Sequence, residues 1–355
     1  MREFISKLGF WLNLGASSLL LISYLAPFIP PDRFWPIAFF GLAYPYLALV
    51  NLIFMVFWAL KTSKRMLLSL ACLLIGLNNF TNTYQLIPAS NSAKSGIKVL
   101  SYNVHGFNSE QRAHRLNNPK IVEYLKTTGA AIICLQEGTQ FKNGKLSPQG
   151  IKEALPEINF YQTVSSGSYS DLVTFSKYPI INRGILKFPA PSILVQFSDI
   201  KISESRTIRV YNCHLQSYSI DPDDYSVIDS IGSSTKSHQI AEARKVTYKL
   251  RNGFIWRAYQ ARKLAEHIQN SPYPVIVCGD FNDTPVSYAY RKVRGNLKDA
   301  FIESGWGTSN TYNGELPSFR IDYILCDHKF TAQNYHRDRV YYSDHFPIQC
   351  QIRVE

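Results

Sequence analysis

Four apolar runs in this chain end on an amide, a carboxylate or an imidazole, a fifth strand has an Asp-His pair beside it, and that repeated pattern limits what the chain can fold into. The clearest is Pro274-Val275-Ile276-Val277-Cys278, followed by Gly279-Asp280-Phe281-Asn282-Asp283. A short run rich in Val and Ile describes a strand buried on both faces. Asp-x-Asn at its end places polar atoms where the sheet meets solvent. Ile132-Ile133-Cys134-Leu135 leads into Gln136-Glu137, Val210-Tyr211-Asn212-Cys213 into His214, and Val99-Leu100-Ser101-Tyr102 into Asn103. Near the C-terminus, Tyr341 to Ile348 sets Asp344-His345 beside a last strand. Strands that deliver Asp, Glu, Asn and His to one rim describe a metal-assisted hydrolase better than a binding module.

The apolar residues are unevenly spread. Before Lys94 the only charges are Arg2, Glu3, Lys7, Asp32, Arg33, Lys61, Lys64 and Arg65. Three apolar stretches fill that region, at residues 8–29, 34–60 and 66–87. The first two exceed the roughly 20 residues a helix needs to cross a bilayer core. The third is weakened by Asn78, Asn79, Thr81, Asn82, Thr83 and Gln85. The expectation is a transmembrane region over residues 1–90 with three helices, then a catalytic domain over residues 96–355. The boundary falls where Pro, Ser, Asn and Lys replace the apolar run, near Pro88 to Ser95. A cleaved signal peptide fits the first stretch poorly, since it is long and another stretch follows directly. Arg2 and Lys7 share a side with Lys61, Lys64 and Arg65, which the positive-inside rule puts in the cytoplasm. Three spans then place the catalytic domain on the external or periplasmic side of the cytoplasmic membrane; two spans with an interfacial third segment leave it inside.

Charge and cysteine usage narrow the partners. The formal net charge is +12, and the six basic and two acidic residues before Lys94 leave the remainder at +8. A basic domain favours a polyanion: nucleic acid, a phosphorylated headgroup or an anionic membrane surface. The six cysteines lie within or beside apolar runs, as buried packing residues do, rather than in a disulfide framework.

From Lys98 onward strand and helix patterns alternate. Pro119 to Thr127 reads as a helix with Ile121, Val122 and Leu125 on its apolar face and Gly129 as its stop. Ser217 to Phe254 reads as a polar, partly helical insertion over the site or a surface loop, and Trp256 to Ile268 as an amphipathic helix. Lys236 to Lys263 is rich in Lys and Arg, and Arg257 within it is the expected contact to a substrate phosphate.

Asn103, Glu137, His214-Leu215, Gly279-Asp280-Phe281-Asn282, Arg320-Ile321-Asp322-Tyr323 and Ser343-Asp344-His345-x-Pro347 occur in that order. The set resembles the motifs of the endonuclease/exonuclease/phosphatase superfamily, which includes deoxyribonuclease I, apurinic endonucleases, inositol polyphosphate 5-phosphatases and neutral sphingomyelinases. The resemblance covers about residues 96–355. It implies an α/β fold, a four-layered α/β/β/α sandwich of two mixed sheets. It also implies Mg²⁺, with Mn²⁺ as the alternative, held by Glu137 and approached by Asp344, in keeping with the oxygen ligands such ions prefer. Asp280 would orient or deprotonate the attacking water, and Asn282 and Asn103 would orient the phosphate. His345, fixed by Asp322, and His214 would donate to the phosphate or the leaving oxygen. His214-Leu215-Gln216-Ser217 is closer to deoxyribonuclease I and sphingomyelinases than to apurinic endonucleases, which carry Tyr at the position of His214. His105, two residues after Asn103, offers no carboxylate for a second metal ligand on that strand.

The expected activity is hydrolysis of phosphoester bonds by a membrane-anchored enzyme, with a nuclease favoured. A sphingomyelinase-like lipid phosphodiesterase and a phosphomonoesterase are the alternatives. A non-catalytic scaffold is the reading from another class, and it predicts loss of Glu137, Asp280, Asn282 or His345. All four are present. The expected partners are a nucleic acid or phospholipid headgroup and the bilayer itself, with no protein partner.

Overall fold

The computed structural model describes residues 2–87, 96–107, 119–138, 143–164, 171–189, 194–218, 236–314 and 318–354. Asp221 to Asp224, in the polar insertion, lie outside the described residues. The other residues of the insertion from 219 to 235 lie outside them as well, and from Lys236 onward the insertion and the helix expected after it form one helix, Lys236–Gln269.

Two compact units divide the chain. One comprises Gln85–Ser217, Gln260–Asn282 and Val293–Glu355. Its strands follow from the period-two pattern of their side chains. In β1 (Ile97–Asn103) and β2 (Ile132–Gln136), Val99, Ile132 and Cys134 belong to one apolar cluster, and Leu100, Tyr102, Ile133 and Leu135 to another. Both faces of these strands are therefore covered. β1 pairs in parallel with β2 and antiparallel with β12 (Ile348–Val354). Adding β3 (Phe160–Val164), β4 (Leu172–Ser176) and β11 (Phe330–Arg337) gives a six-stranded sheet in the order β11-β12-β1-β2-β4-β3. A second six-stranded sheet takes β5 (Ile180–Lys187), β6 (Leu194–Lys201), β7 (Thr207–His214), β8 (Val275–Asp280), β9 (Lys298–Asp299) and β10 (Asp322–Cys326) in the order β5-β6-β7-β8-β10-β9.

The sheets meet through Val99, Ile132 and Cys134 on one side and Val210, Ile276, Cys278 and Ile324 on the other. Helices Lys120–Thr128 and Pro148–Ala154 cover the outer face of the first sheet through Ile121, Leu125 and Ile151. On the second, Tyr211 of β7 meets His267 of the long helix at 2.7 Å. This is the mixed two-sheet α/β arrangement that the motifs imply. Buried polar pairs also cross between the sheets: Gln136 Nε2 donates to Asn212 Oδ1 at 2.7 Å, and Thr174 Oγ1 to Gln196 Oε1 at 2.6 Å. Buried hydrogen bonds of this kind are lost if the sheets slip, so these favour one alignment of the two sheets. All six cysteines are free and buried, as their apolar surroundings require.

The other compact unit comprises Met1–Tyr84, Tyr218–Tyr259 and Asp283–Lys292, so segments from far along the sequence join the N-terminal helices. Val286 lies in one core with Leu20, Tyr44, Ala48 and Cys72. The three continuous spans expected from the sequence are not what forms. The first helix is Arg2–Ser23, and no single helix among the described residues is long and apolar enough to cross a membrane. Two bent pairs pass that test together: Pro36–Leu42 with Tyr44–Leu60, bent by 62°, and Met66–Ile75 with Leu77–Thr83, bent by 65°. The breaks have local causes. Pro45 lacks an N–H and its ring crowds the carbonyl four residues back. A Cβ on Gly76 would lie 2.1 Å from the hydroxyl of Tyr24, which donates to the Cys72 carbonyl at 2.9 Å.

One backbone position in the two-sheet unit tolerates no side chain. Gly279 has φ 146°, and a Cβ there would sit 1.9 Å from the carbonyl oxygen of Cys213 on the neighbouring strand. Gly279→Ala should therefore destabilise the protein by at least roughly 1–3 kcal/mol, the order of strain a disfavoured backbone conformation carries. Thermal and denaturant unfolding check this, and a variant within about 0.5 kcal/mol of the parent, the scatter of neutral surface changes, contradicts it.

Candidate active site

Sheet register assembles the site. In the parallel pairing of β7 with β8, His214 lies opposite Asp280. In the antiparallel pairing of β8 with β10, Asp322 lies opposite the same Asp280. Three functional side chains thus form one row across the second sheet, with the aspartate in the middle. The first sheet contributes Asn103 at the end of β1, paired with Gln136, and Glu137 one residue past β2.

Asn103 joins the two contributions. Its Nδ2 donates to Glu137 Oε1 at 3.2 Å and to Asp280 Oδ2 at 3.1 Å. Asp280 is further fixed by Asn282, whose backbone N–H donates to Oδ1 at 2.7 Å and whose Nδ2 donates to Oδ2 at 3.2 Å. The Asn282 amide also donates to the Leu215 carbonyl at 3.0 Å, so it is committed to holding Asp280 and the strand beside it. His345 Nδ1 and Asp322 Oδ2 share a hydrogen bond at 2.9 Å, and His345 Nε2 comes within 3.7 Å of Asp280 Oδ2. Arg320, the other polar residue of the Arg-Ile-Asp-Tyr motif, pairs with Asp299 at 2.8 Å and leaves Asp322 to the histidine.

His214 Nε2 stands 3.7 Å from Glu137 Oε1 and 3.8 Å from Asp280 Oδ2. Asp344 completes the rim beside His105, whose Nδ1 is 3.4 Å from Asp344 Oδ2 and 3.8 Å from Glu137 Oε2. His105, Glu137 and Asn282 all carry positive φ, at 46°, 55° and 53°. Non-glycine residues in that region cost of order 1–3 kcal/mol each, and such strain gathers where side chains must be aimed.

Burial sets the protonation pattern. It is the largest influence on Asp280 and pushes the carboxyl up to about 6, against the opposing charge of His345. Burial alone would lower the His345 imidazole, but Asp322, Asp280 and Asp344 outweigh it and hold the group well above its ordinary range. Burial lowers the His214 imidazole and raises the Glu137 carboxyl, the latter with help from Asp344 and against His105. Among the described residues, Asp280, Asp322 and His345 are the one set of three potential ligands whose donor atoms all lie within 4.8 Å of one another. The short bond between His345 Nδ1 and Asp322 already engages that nitrogen. Glu137 and Asp344 each offer carboxylate oxygens, the ligand type that a hard divalent cation prefers.

The eight residues Asn103, Glu137, His214, Asp280, Asn282, Asp322, Asp344 and His345 are therefore brought together. Arg257 is not among them. It is fully buried, its Nε is 3.1 Å from Asp283 Oδ2, and its guanidinium lies 4.1 Å from the Tyr218 ring centre. Asp283 and Tyr218 belong to the same compact unit as Arg257, so these contacts are made within that unit. Two supporting residues carried no sequence signal of their own. Thr311 Oγ1 accepts from the backbone N–H groups of Ile321 and Asp322 at 3.0 and 3.1 Å. Ser343 Oγ donates to the Asn103 carbonyl at 2.8 Å, tying the Asp344-His345 loop to the end of β1.

Comparison with known proteins agrees with this geometry. The endonuclease/exonuclease/phosphatase from Bacteroides vulgatus superposes with a TM-score of 0.50 at 18% identity, over 74% of this chain and 100% of that one. The one from Beutenbergia cavernae gives 0.50 at 15% identity, over 74% of this chain and 72% of that one. Both show the fold. No curated protein matches in sequence. Residues 5–83 match a domain of unknown function. Residues 100–345, which run from the end of β1 to His345 and hold the whole rim described above, match the Endonuclease/Exonuclease/phosphatase family, and the chain belongs to that family.

Proposed function

We propose that the protein is a membrane-anchored, divalent-cation-dependent phosphodiesterase, with nucleic acid as the favoured substrate. The observation that carries the reading is the convergence of Glu137, Asn103, Asp280 and the Asp322–His345 pair, from two sheets, on one polar rim.

The protonation states suit hydrolysis. Asp280 near pH 7 is ionised and is oriented by three hydrogen bonds from Asn103 and Asn282, which fits it to take a proton from an attacking water. His345, charged by its carboxylate neighbours, presents Nε2 on the same side and is fitted to give a proton to the departing oxygen. The water oxygen forms the new bond to phosphorus, the ester oxygen leaves, and one proton is gained by Asp280 while another is lost by His345. His214, kept neutral by burial, offers Nε2 as a hydrogen-bond donor to a non-bridging oxygen. A divalent cation at Glu137 would polarise a phosphoryl oxygen and offset the charge that develops there. Glu137 supports such an ion because its carboxyl is strained towards protonation by burial and by Asp344, a cost that a cation would remove.

Membrane anchoring is supported by the inverted polarity of the N-terminal helices. Asn13, Ser17, Asn51 and Ser69 are buried and hydrogen-bonded to one another: Ser69 Oγ donates to Asn13 Oδ1 at 2.6 Å, and Ser17 Oγ to Asn51 Oδ1 at 2.9 Å. Meanwhile Leu49, Leu52, Ile53, Val56, Phe57 and Leu60 of one helix are all exposed. Polar residues inside and apolar residues outside is the pattern of helices packed in lipid. Three crossings would put the catalytic unit on the external or periplasmic side, whereas the two bent pairs alone would leave it in the cytoplasm. The basic +8 remainder favours nucleic acid, as a track for a phosphate backbone. The anchor favours a second reading, a lipid phosphodiesterase, because a tethered site meets headgroups at high effective concentration.

Four outcomes are expected. The detergent-purified full chain, with Mg²⁺ or Mn²⁺, should nick plasmid DNA; headgroup release from sphingomyelin vesicles without nicking would favour the lipid reading instead. Glu137→Gln and Asp280→Asn should each abolish turnover with unchanged unfolding temperature, and His345→Ala should lose roughly two to four orders of magnitude; near-normal rates remove the residue from the mechanism. Asp280 must be ionised to act, so kcat/KM should fall as pH drops through about 6. An ordinary aspartate would hold the rate down to about pH 4, and a flat profile to that point contradicts a raised Asp280. Finally, the expressed chain should stay with membranes through alkaline carbonate washing, and release into the wash would contradict the anchor.

A further inference from the structure

The catalytic unit carries an apolar patch that the mechanism above does not use. Trp306, in the loop after the helix Ala300–Ser304, is 70% exposed. Leu86 and Ile87, at the start of the same unit, are 70% and 83% exposed. An antiparallel bridge between Gln85 and Gly307 joins the two segments, and both of its hydrogen bonds are made. The Gln85 N–H donates to the Gly307 carbonyl at 2.9 Å, and the Gly307 N–H donates to the Gln85 carbonyl at 2.8 Å. In an antiparallel pairing the next residues along, Leu86 and Trp306, face one another. Single exposed apolar residues are ordinary, but large ones gathered at one spot mark a contact surface.

The loop that presents Trp306 is tightly held. Gly307 has φ 78°, a conformation that glycine adopts without cost. A Cβ on Gly305 would lie 2.4 Å from the ring of Phe301, which is wholly buried. Glycines on both sides therefore set the turn, and the exposed indole belongs to a constrained segment.

The preceding sequence identifies what covers the patch. The bent pair Met66–Ile75 and Leu77–Thr83 ends three residues before Leu86. Leu74, Ile75 and Leu77 of that pair are exposed as well, so apolar exposure runs along the chain from these helices into the patch. Three residues of chain span at most about 11 Å. The headgroup layer on each side of a bilayer core is about 5–8 Å deep. A chain that leaves the core at Thr83 is therefore still within reach of that layer at Leu86, and the bridge ties Trp306 to the same place. Tryptophan favours this depth because its indole is apolar in body and carries one N–H donor.

We infer that Trp306, Leu86 and Ile87 form a membrane-interface contact that seats the catalytic unit on the bilayer holding its anchor. The inference rests on the membrane-anchored reading. Once the anchor is in place, such a contact forms within one molecule, at high effective concentration, so a small patch suffices. A second contact beside the tether restricts the orientations that the catalytic unit can take over the lipid.

Fluorescence of the full chain in vesicles tests this without any turnover. All six native cysteines are buried, so a cysteine placed at Trp306 takes a thiol-reactive dye selectively. The Trp306→Cys protein, carrying an environment-sensitive dye, is reconstituted into phosphatidylcholine–phosphatidylglycerol vesicles with or without nitroxide-labelled lipid. The expected emission is blue-shifted and is lost when the nitroxide sits near the headgroups. The same dye on Ile87→Cys should respond alike. On Glu204→Cys, between β6 and β7 where the side chain is 97% exposed, it should neither shift nor quench. Unchanged unfolding temperatures check that the labelled proteins are folded. Emission at residues 306 and 87 matching that at 204, in a chain that resists carbonate washing, overturns the contact and leaves the anchor standing. A blue shift that nitroxide lipid does not quench assigns the patch to a protein surface, such as a second copy, and also overturns it. Release of the parent chain by carbonate overturns the anchor and the contact together.

Discussion

The site depends on the position of Asp280 in the middle of a row. A parallel neighbour supplies His214 and an antiparallel neighbour supplies Asp322, both in register with it. Side chains alternate along a strand, so a slip of one residue in either pairing would turn one partner to the opposite face. The close approach of Gly279 to Cys213 helps to fix that register, because only a residue without a side chain lets the two backbones come so near. The chemistry of the site is set by backbone geometry before any side chain interacts.

Asn103 adds the second sheet to this row. One amide reaches both Glu137 and Asp280, the latter 177 positions further along the sequence. The buried Gln136–Asn212 and Thr174–Gln196 pairs keep the sheets aligned beneath it. The same burial that protects these bonds shifts the ionisable groups. Asp280 is raised by that burial, while His345 is held above its ordinary range by the carboxylates around it. One environment therefore raises both groups, Asp280 chiefly through burial and His345 through carboxylates that outweigh burial.

Much of this was legible in the sequence. Apolar runs ending in Asn103, Glu137, His214 and Asp280 announced strands with chemistry at their ends, and six ordered motifs implied the two-sheet fold. Other features depend on long-range packing and leave no local pattern. Arg257 looked like one more cation on a basic helix, and only the structure pairs it with Asp283 beneath Tyr218. Thr311 and Ser343 support the site through hydroxyl bonds to distant backbone, a role that any surface Ser or Thr would share on paper. The apolar stretches at 34–60 and 66–87 read as continuous helices by composition, but Pro45 and Gly76 break them. Val286 joining the N-terminal core was likewise invisible, since nothing in a linear reading connects residues so far apart.

The central claim is that one rim, built by two sheets, hydrolyses phosphoesters with the help of a cation. The most direct measurement is release of p-nitrophenolate from bis(p-nitrophenyl) phosphate by the full chain, titrated with EDTA and then with Mn²⁺ or Mg²⁺. Release that stops with EDTA and returns with the added ion is the predicted result. Release unaffected by EDTA, or none under any ion, would contradict the account.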